Sequence, residues 1–231
     1  MTSSGNNPSL DPANNDTLAG TMQFVFNKMM QSVNNMLPAR VIAFDRAANR
    51  VQVELLITIL TSDGSQVPRG QIASLPVLLL GGGGFMLNFN LQSGDLGWVV
   101  ANDRDISLFL TSYAQSPPNT TRLHDFADGL FIPDVMTGYT IASEDVSNAV
   151  LQSLDGTVKI SFNSAQIKIQ APAVIIEGAT TVDGALTATA GITVTGGGST
   201  PFNVTGDMLL TGNLRVVGNI TASGDITPFV P

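Results

Sequence analysis

The sequence predicts an all-β protein: an N-terminal helix and a small barrel, followed by a shaft in which three copies of the chain wind together as an intertwined β-helix. Three observations predict it. Gly206, Gly212, Gly218 and Gly224 recur every six residues, each followed by Asp or Asn and then an apolar residue, the mark of a solenoid or β-helix. Short apolar runs separated by turn residues fill positions 39–115. Charged residues are only 12% of the 231 residues, about half the usual globular share.

Residues 1–15 are polar, contain Pro8 and Pro12, and read as a flexible arm. A helical segment follows at 16–37, running from Asp16, the expected N-cap, to about Asn35. Leu18, Met22, Val25, Met29, Val33 and Met36 recur at spacings of four and three and give one apolar face. Pro38 ends that pattern. The helix carries Met22, Met29, Met30 and Met36, flexible side chains suited to an adaptable contact, either packing on the chain's own sheet or docking to a partner.

Residues 38–120 read as the barrel. The runs Arg40–Phe44 and Arg50–Leu55 flank the turn Asp45–Asn49 as a hairpin. Ser62–Ser65 is a second turn. Leu75–Leu80, Phe85–Phe89, Gly97–Val100 and Ile106–Leu110 are further strand candidates. Five or six short strands in this length suit a small barrel such as an OB-fold, with strand order unreadable from the pattern. Residues 121–154 read as a connecting region, with Asp128–Pro133 as a turn into an edge strand and Glu144–Leu151 as a helical turn or a strap.

Residues 155–231 read as shaft and tip. Val158, Ile160 and Phe162 alternate with Lys159 and Ser161, and Ile167 and Ile169 flank Lys168, a period of two. In the hexads, position three is Met208, Leu214, Ile220 and Ile226, and position five is Leu210, Val216, Ala222 and Pro228. Two apolar side chains per strand, worth about 1–3 kcal/mol each when buried, cannot offset about 6–12 kcal/mol of backbone entropy for six residues. The ribbon therefore needs copies of itself. A single-chain solenoid needs about 20 residues per coil and leaves only about four coils here; three intertwined chains need one hexad per chain per turn. Position five also shrinks in order, as in a tapering shaft.

Composition excludes several classes. The net charge is −8 with ten scattered Lys and Arg, so the basic patch of a nucleic-acid binder is missing. The chain has no cysteine, which excludes disulfides and thiolate metal sites. No signal peptide and no membrane span are read, so the expected place of assembly is a cytoplasm. Gly81–Gly84 is followed by Phe-Met-Leu rather than Lys-Ser, unlike a phosphate loop. His124 beside Asp125 lacks any nucleophile elbow, and reads as a surface loop histidine. Asp103 and Asp105 flank Arg104 and read as a solvated turn with a local ion pair. Trp98 reads as a core or subunit-interface anchor. Asn15, Asn119, Asn203 and Asn219 lie in Asn-x-Thr sequons of the kind Thr-rich β-chains produce by chance. No catalytic, cofactor-binding or metal residue is expected.

The order of parts carries a resemblance. Met36-Leu37-Pro38-Ala39-Arg40-Val41 leads into the first strand. Gly81–Phe85 precedes Gly94-Asp95-Leu96-Gly97-Trp98 and Asp103-Arg104-Asp105-Ile106-Ser107, and then come Asp128–Pro133 and Leu154–Val158. In these the chain, over about residues 16–231, resembles the central spike proteins of contractile-tailed bacteriophage baseplates, the gpV-like needles. The resemblance implies a non-enzymatic homotrimer in the virion tail baseplate, assembled in the bacterial host cytoplasm. Its N-terminal helix and OB-fold would seat on the baseplate hub, and its shaft would contact and puncture the host outer membrane on tail contraction. Many such spikes end in a His-x-His motif that binds iron at the apex. Here the sole histidine is His124, so no iron is expected in this chain. The Pro231 end is then an apolar plug or is capped by a separate tip protein. A β-helical tailspike or fibre acting on surface glycan, and a type VI secretion spike, are the alternatives. Beyond residue 155 the acids Asp155, Glu177, Asp183, Asp207 and Asp225 are spread out rather than clustered as a glycan-cleaving cleft requires.

Overall fold

The computed structural model describes residues 17–61, 63–195, 202 and 204–224. The expected arm at 1–15, the expected cap Asp16, the sequons at Asn15 and Asn203 and the terminal Ile226–Pro231 lie outside them. The chain divides into two units, one up to Val174 and one from Ile175 onward.

The first unit is mostly β. Helix α1 spans Leu18–Gln31. Its N-cap is Thr17, whose hydroxyl accepts the Gly20 N–H at 3.1 Å, satisfying one of the donors a helix start leaves open. It stops at Ser32, short of the expected Asn35, so Pro38 does not end it; Pro38 lies inside β1.

The strands are β1 (Met36–Asp45), β2 (Arg50–Leu55), β3 (Ile59–Leu60), β4 (Gln66–Val67), β5 (Gln71–Pro76), β6 (Leu80–Gly82), β7 (Phe85–Leu87), β8 (Leu96–Asn102) and β9 (Asp125–Pro133). Five of them form one antiparallel sheet in the order β5-β2-β1-β8-β9. A parallel bridge between Val77 and Phe131, with Leu78 N–H donating to Phe131 O at 2.8 Å, nearly closes it into a barrel. The β1–β2 hairpin forms as expected, with Asp45 opposite Arg50. Its turn is held by Ala48 N–H on Asp45 Oδ1 at 3.0 Å and by Asn49 in the left-handed region, φ 51°, which Asn tolerates. Alternation sends Ala39, Val41, Val51, Val53, Leu75, Val99 and Phe131 inward to one core. Gly97 lies where a Cβ would strike the Phe131 ring and the Ile132 carbonyl, so the core closes over a glycine.

Two expectations for this region are corrected. Ile106–Leu110 is not a strand: α2 spans Ser107–Ser112, started by Asp105 Oδ1 accepting the Ser107 N–H at 2.9 Å and ended by left-handed Tyr113. A buried carboxylate at the helix start overrides the β-propensity of a short apolar run. The barrel also does not end at 120, because β9, from the region expected to be connecting, pairs along β8.

A second, three-stranded antiparallel sheet orders β10 (Ala149–Gln152), β11 (Lys159–Phe162) and β12 (Ile167–Gln170). It straddles the expected boundary at 154/155. A 3₁₀ turn at Ser143–Asp145 precedes it, so the expected strap is partly helical and partly strand.

In the second unit, residues 175–195, 202 and 204–224 form neither strand nor helix, and all are exposed. The intertwined β-helix expected at 155–231 is therefore not formed within one chain. Among the described residues of this unit no strand pairing is present. Three of the four hexad glycines take the backbone expected of them: φ is +121° at Gly206, +136° at Gly212 and +139° at Gly218, values that residues with a Cβ avoid; Gly224 does not share it.

Candidate assembly surfaces

The small sheet has its polarity inverted relative to ordinary amphipathic sheets. Lys159 and Ser161 of β11 are each 3% exposed, while their neighbours Ile160 and Phe162 are 39% and 47% exposed. The covered side is closed by the 3₁₀ turn. Lys159 Nζ donates to Asp145 and, at 3.0 Å, to Glu144 Oε1. Ser161 Oγ donates to Asp145 Oδ1 at 2.5 Å, and Asn148 Nδ2 donates to the same oxygen at 3.1 Å. Lys168 reaches Glu144 at 2.8 Å. Bonds from Lys159, Ser161 and Asn148 hold the Asp145 carboxyl well below its ordinary value, and bonds to Asp145 and Glu144 raise Lys159. Each buried charge thus has its partner, the condition on which burial is tolerated.

The other side of that sheet carries two cross-strand rows. Leu151 stands opposite Ile160, which stands opposite Ile169. Ala149, Phe162 and Ile167 form the second row. All six are exposed.

A second polar cluster braces the barrel. Arg122 forks onto Asp128, with Nε to Oδ2 at 3.0 Å and Nη2 to Oδ1 at 2.8 Å, and reaches Asp105 Oδ2 at 3.3 Å. Thr120 Oγ1 donates to the same Asp105 oxygen at 2.8 Å. Ser107 presents its hydroxyl and its backbone N–H to Asp105, and the N–H makes the well-formed bond, 2.9 Å. Ser107 first and Thr120 after it pull the Asp105 carboxyl down to about 2, while burial pushes Asp128 up. The pairing expected around Arg104 is corrected: Asp105 is buried and its cation is Arg122, while Asp103 stays exposed. The buried Asp105 and Asp128 and their shared bonds to Arg122 make this cluster a brace between the α2 region and β9.

The remaining singled-out residues fall apart in space. His124 Nδ1 is 3.9 Å from Asp103 Oδ1, at a left-handed position just before β9. Gly83 and Gly84 make the turn of the β6–β7 hairpin, which leaves Phe85 and Met86 exposed. Trp98 is half-buried on the outer side of β8, and its Nε1–H donates to Asp134 Oδ2 at 2.8 Å. Among the described residues no three His, Cys, Asp or Glu side chains gather as a metal site, and no helix is long and apolar enough to cross a membrane.

Helix α1 buries none of its residues, and Leu18, Met22, Phe26 and Met29 are among the most exposed apolar side chains of the first unit. An isolated helix of this length is marginal in water, so α1 is a further face lacking cover in a single chain. The sequence pointed to α1 and to the hexads. It did not point to Asp145, Arg122 or Asp128. Local pattern carried no signal for them, because Lys159 and Ser161 alternate with Ile160 and Phe162 as on an ordinary amphipathic strand.

No curated protein matches the chain. Residues 37–134 match the family model described as the phage protein Gp138 N-terminal domain. That stretch begins at the second residue of β1 and ends just past β9, so it covers the barrel and less than half of the chain. In its barrel this chain is similar to the N-terminal domain of the phage protein Gp138.

Proposed function

We propose that the chain is the central spike of a contractile-tail baseplate, a homotrimer that punctures the host outer membrane on contraction, and not an enzyme. The observation that carries this reading is the second unit: positive-φ glycines every six residues, apolar side chains between them, and exposure of every described residue. Three such ribbons wound together would pair their backbones across chains and bury the positions that one chain leaves open. In an interwoven shaft no chain can peel away alone, which suits a part loaded along its axis. The likeness of the barrel to a phage domain supports placing that shaft in a virion.

The barrel is read as OB-type, supported by its closing order and by α2 and the β6–β7 hairpin as its inserted segments. It and the exposed α1 would seat on the baseplate hub. No metal or cofactor is assigned to the shaft end; a separate tip protein at Pro231 is the partner proposed there. Light scattering of the purified full chain tests the reading. A trimeric mass that persists in SDS without boiling is expected, and a monomer overturns it. Tails assembled with the shaft shortened should contract yet leave the outer membrane intact; unchanged permeabilisation would refute the puncturing role.

A further inference from the structure

We propose that the open face of β10, β11 and β12 is an interface between copies of this chain, so that association begins ahead of the glycine hexads. The inference rests on the trimer reading above but concerns a different part of the chain. Its ground is the inverted sheet. A lysine and an aspartate fill the covered side, with Ser161 and Asn148 completing their bonds. The rows Leu151–Ile160–Ile169 and Ala149–Phe162–Ile167 fill the open side. Hiding a charge pair while leaving six apolar side chains to water is unfavourable on both faces. It becomes favourable once the open side is covered.

The occupant follows from what the face holds. Neither row carries a charge or a hydrogen-bonding side chain, so it offers a polar partner nothing to pair with. Two uncharged apolar rows are complementary to their own copies. The strap at 143–148 already closes the other side and cannot also close this one. Along one end of the rows, Leu151, Val158, Ile160, Ile169 and Val174 line a groove of about 340 Å³ with Gln152, Ser153, Lys159 and Gln170 also on its wall, room for side chains of this size from a second copy. Area bounds the extent of the contact. The six side chains expose on the order of several hundred Å², the upper range for a monomer's largest patch. That is below the roughly 800 Å² per partner of a stable complex. The face therefore works as one part of a larger contact, and the hexads of the same chain supply the remainder.

The chain has no cysteine, so single introduced thiols report cleanly. Full-length Ile160→Cys and Ile167→Cys probe the open face, and Ser147→Cys probes the exposed strap on the opposite side. Each is labelled with a maleimide in its native state and, separately, oxidised with copper phenanthroline, with mass read by light scattering. The expected result is a trimer in which positions 160 and 167 are labelled at least tenfold more slowly than position 147 and cross-link between copies. A trimer labelled equally fast at all three positions overturns this interface and leaves the trimer standing. Slow labelling without cross-links, in a trimer or a monomer, means that something other than a copy's face covers the rows, and also overturns it. A monomer labelled fast everywhere overturns both readings. As a second variant, Ile160→Asp with Phe162→Asp should abolish SDS resistance while the Trp98 emission of the barrel stays unchanged; retained resistance counts against the interface.

Discussion

Arg122 holds Asp128 by two parallel bonds, 3.0 Å and 2.8 Å, while a third nitrogen contact at 3.3 Å reaches Asp105. A planar guanidinium satisfies both carboxylates from one position, and an ammonium cannot. Arg122→Ala should leave two buried acids without their cation. The expected outcome is a fall in barrel Tm on the order of 5–10 °C and faster proteolysis between α2 and β9. Arg122→Lys should restore less than half of the loss, as read by thermal melts.

Acid should weaken the first unit in a defined window. Asp105 is held at about 2 in the folded chain, against about 3.9 when unfolded. Asp145 and Glu144 are also lowered. Their stabilisation is complete above the unfolded values and is lost as pH falls from about 4 toward 2. Asp128, raised by burial, works in the opposite sense and softens the loss. Lys159 is raised, so its contribution is complete below about 10.4 and disappears only as pH rises beyond that. Tm measured against pH should be flat from about 5 to 9. A steep change near neutrality would contradict the assignment.

Lys159 and Asp145 should prove interdependent. Lys159→Met alone leaves a buried carboxylate unpaired and should loosen the small sheet strongly, with protection lost in β10–β12 by hydrogen exchange. Adding Asp145→Leu should recover most of that protection, because an apolar pair of similar volume replaces the ion pair. Additive losses in a double-mutant cycle would show that the two do not act as a unit.

Gly212→Ala should weaken the shaft through the backbone alone. An added Cβ meets nothing within 4 Å, so space is not the constraint, whereas φ of +136° is. A penalty of about 1–3 kcal/mol per chain is expected, multiplied across copies and visible as a lower dissociation temperature in SDS. Thr211→Ala, next to it, should change the same readout little.

Much of the barrel was legible because its strands alternate and its turns carry Asp, Asn and Gly. The β1–β2 hairpin appears where Asp45–Asn49 places it. Ile106–Leu110 was misread because an apolar run of five fits a strand or a helix, and the deciding bond comes from Asp105 just upstream. β9 was missed as part of the barrel because its pairing with β8 is a long-range relation that local pattern does not carry. In β11 the period of two was right, but periodicity does not say which side is covered. Apolar-inward was the natural assignment, and the acids at 144 and 145 reverse it. The hexads specify their turns within one chain and leave their pairing to other copies.

The positive-φ glycines at 206, 212 and 218 have a consequence for length. The units they open begin from the same backbone corner, so Thr211 to Leu214 and Val217 to Ile220 are equivalent steps. Removing residues 212–217 as a block would rejoin like to like, whereas removing three would set apolar positions where polar ones stood. The distance such a chain can reach is therefore quantised, changing by whole six-residue increments with neither end rebuilt.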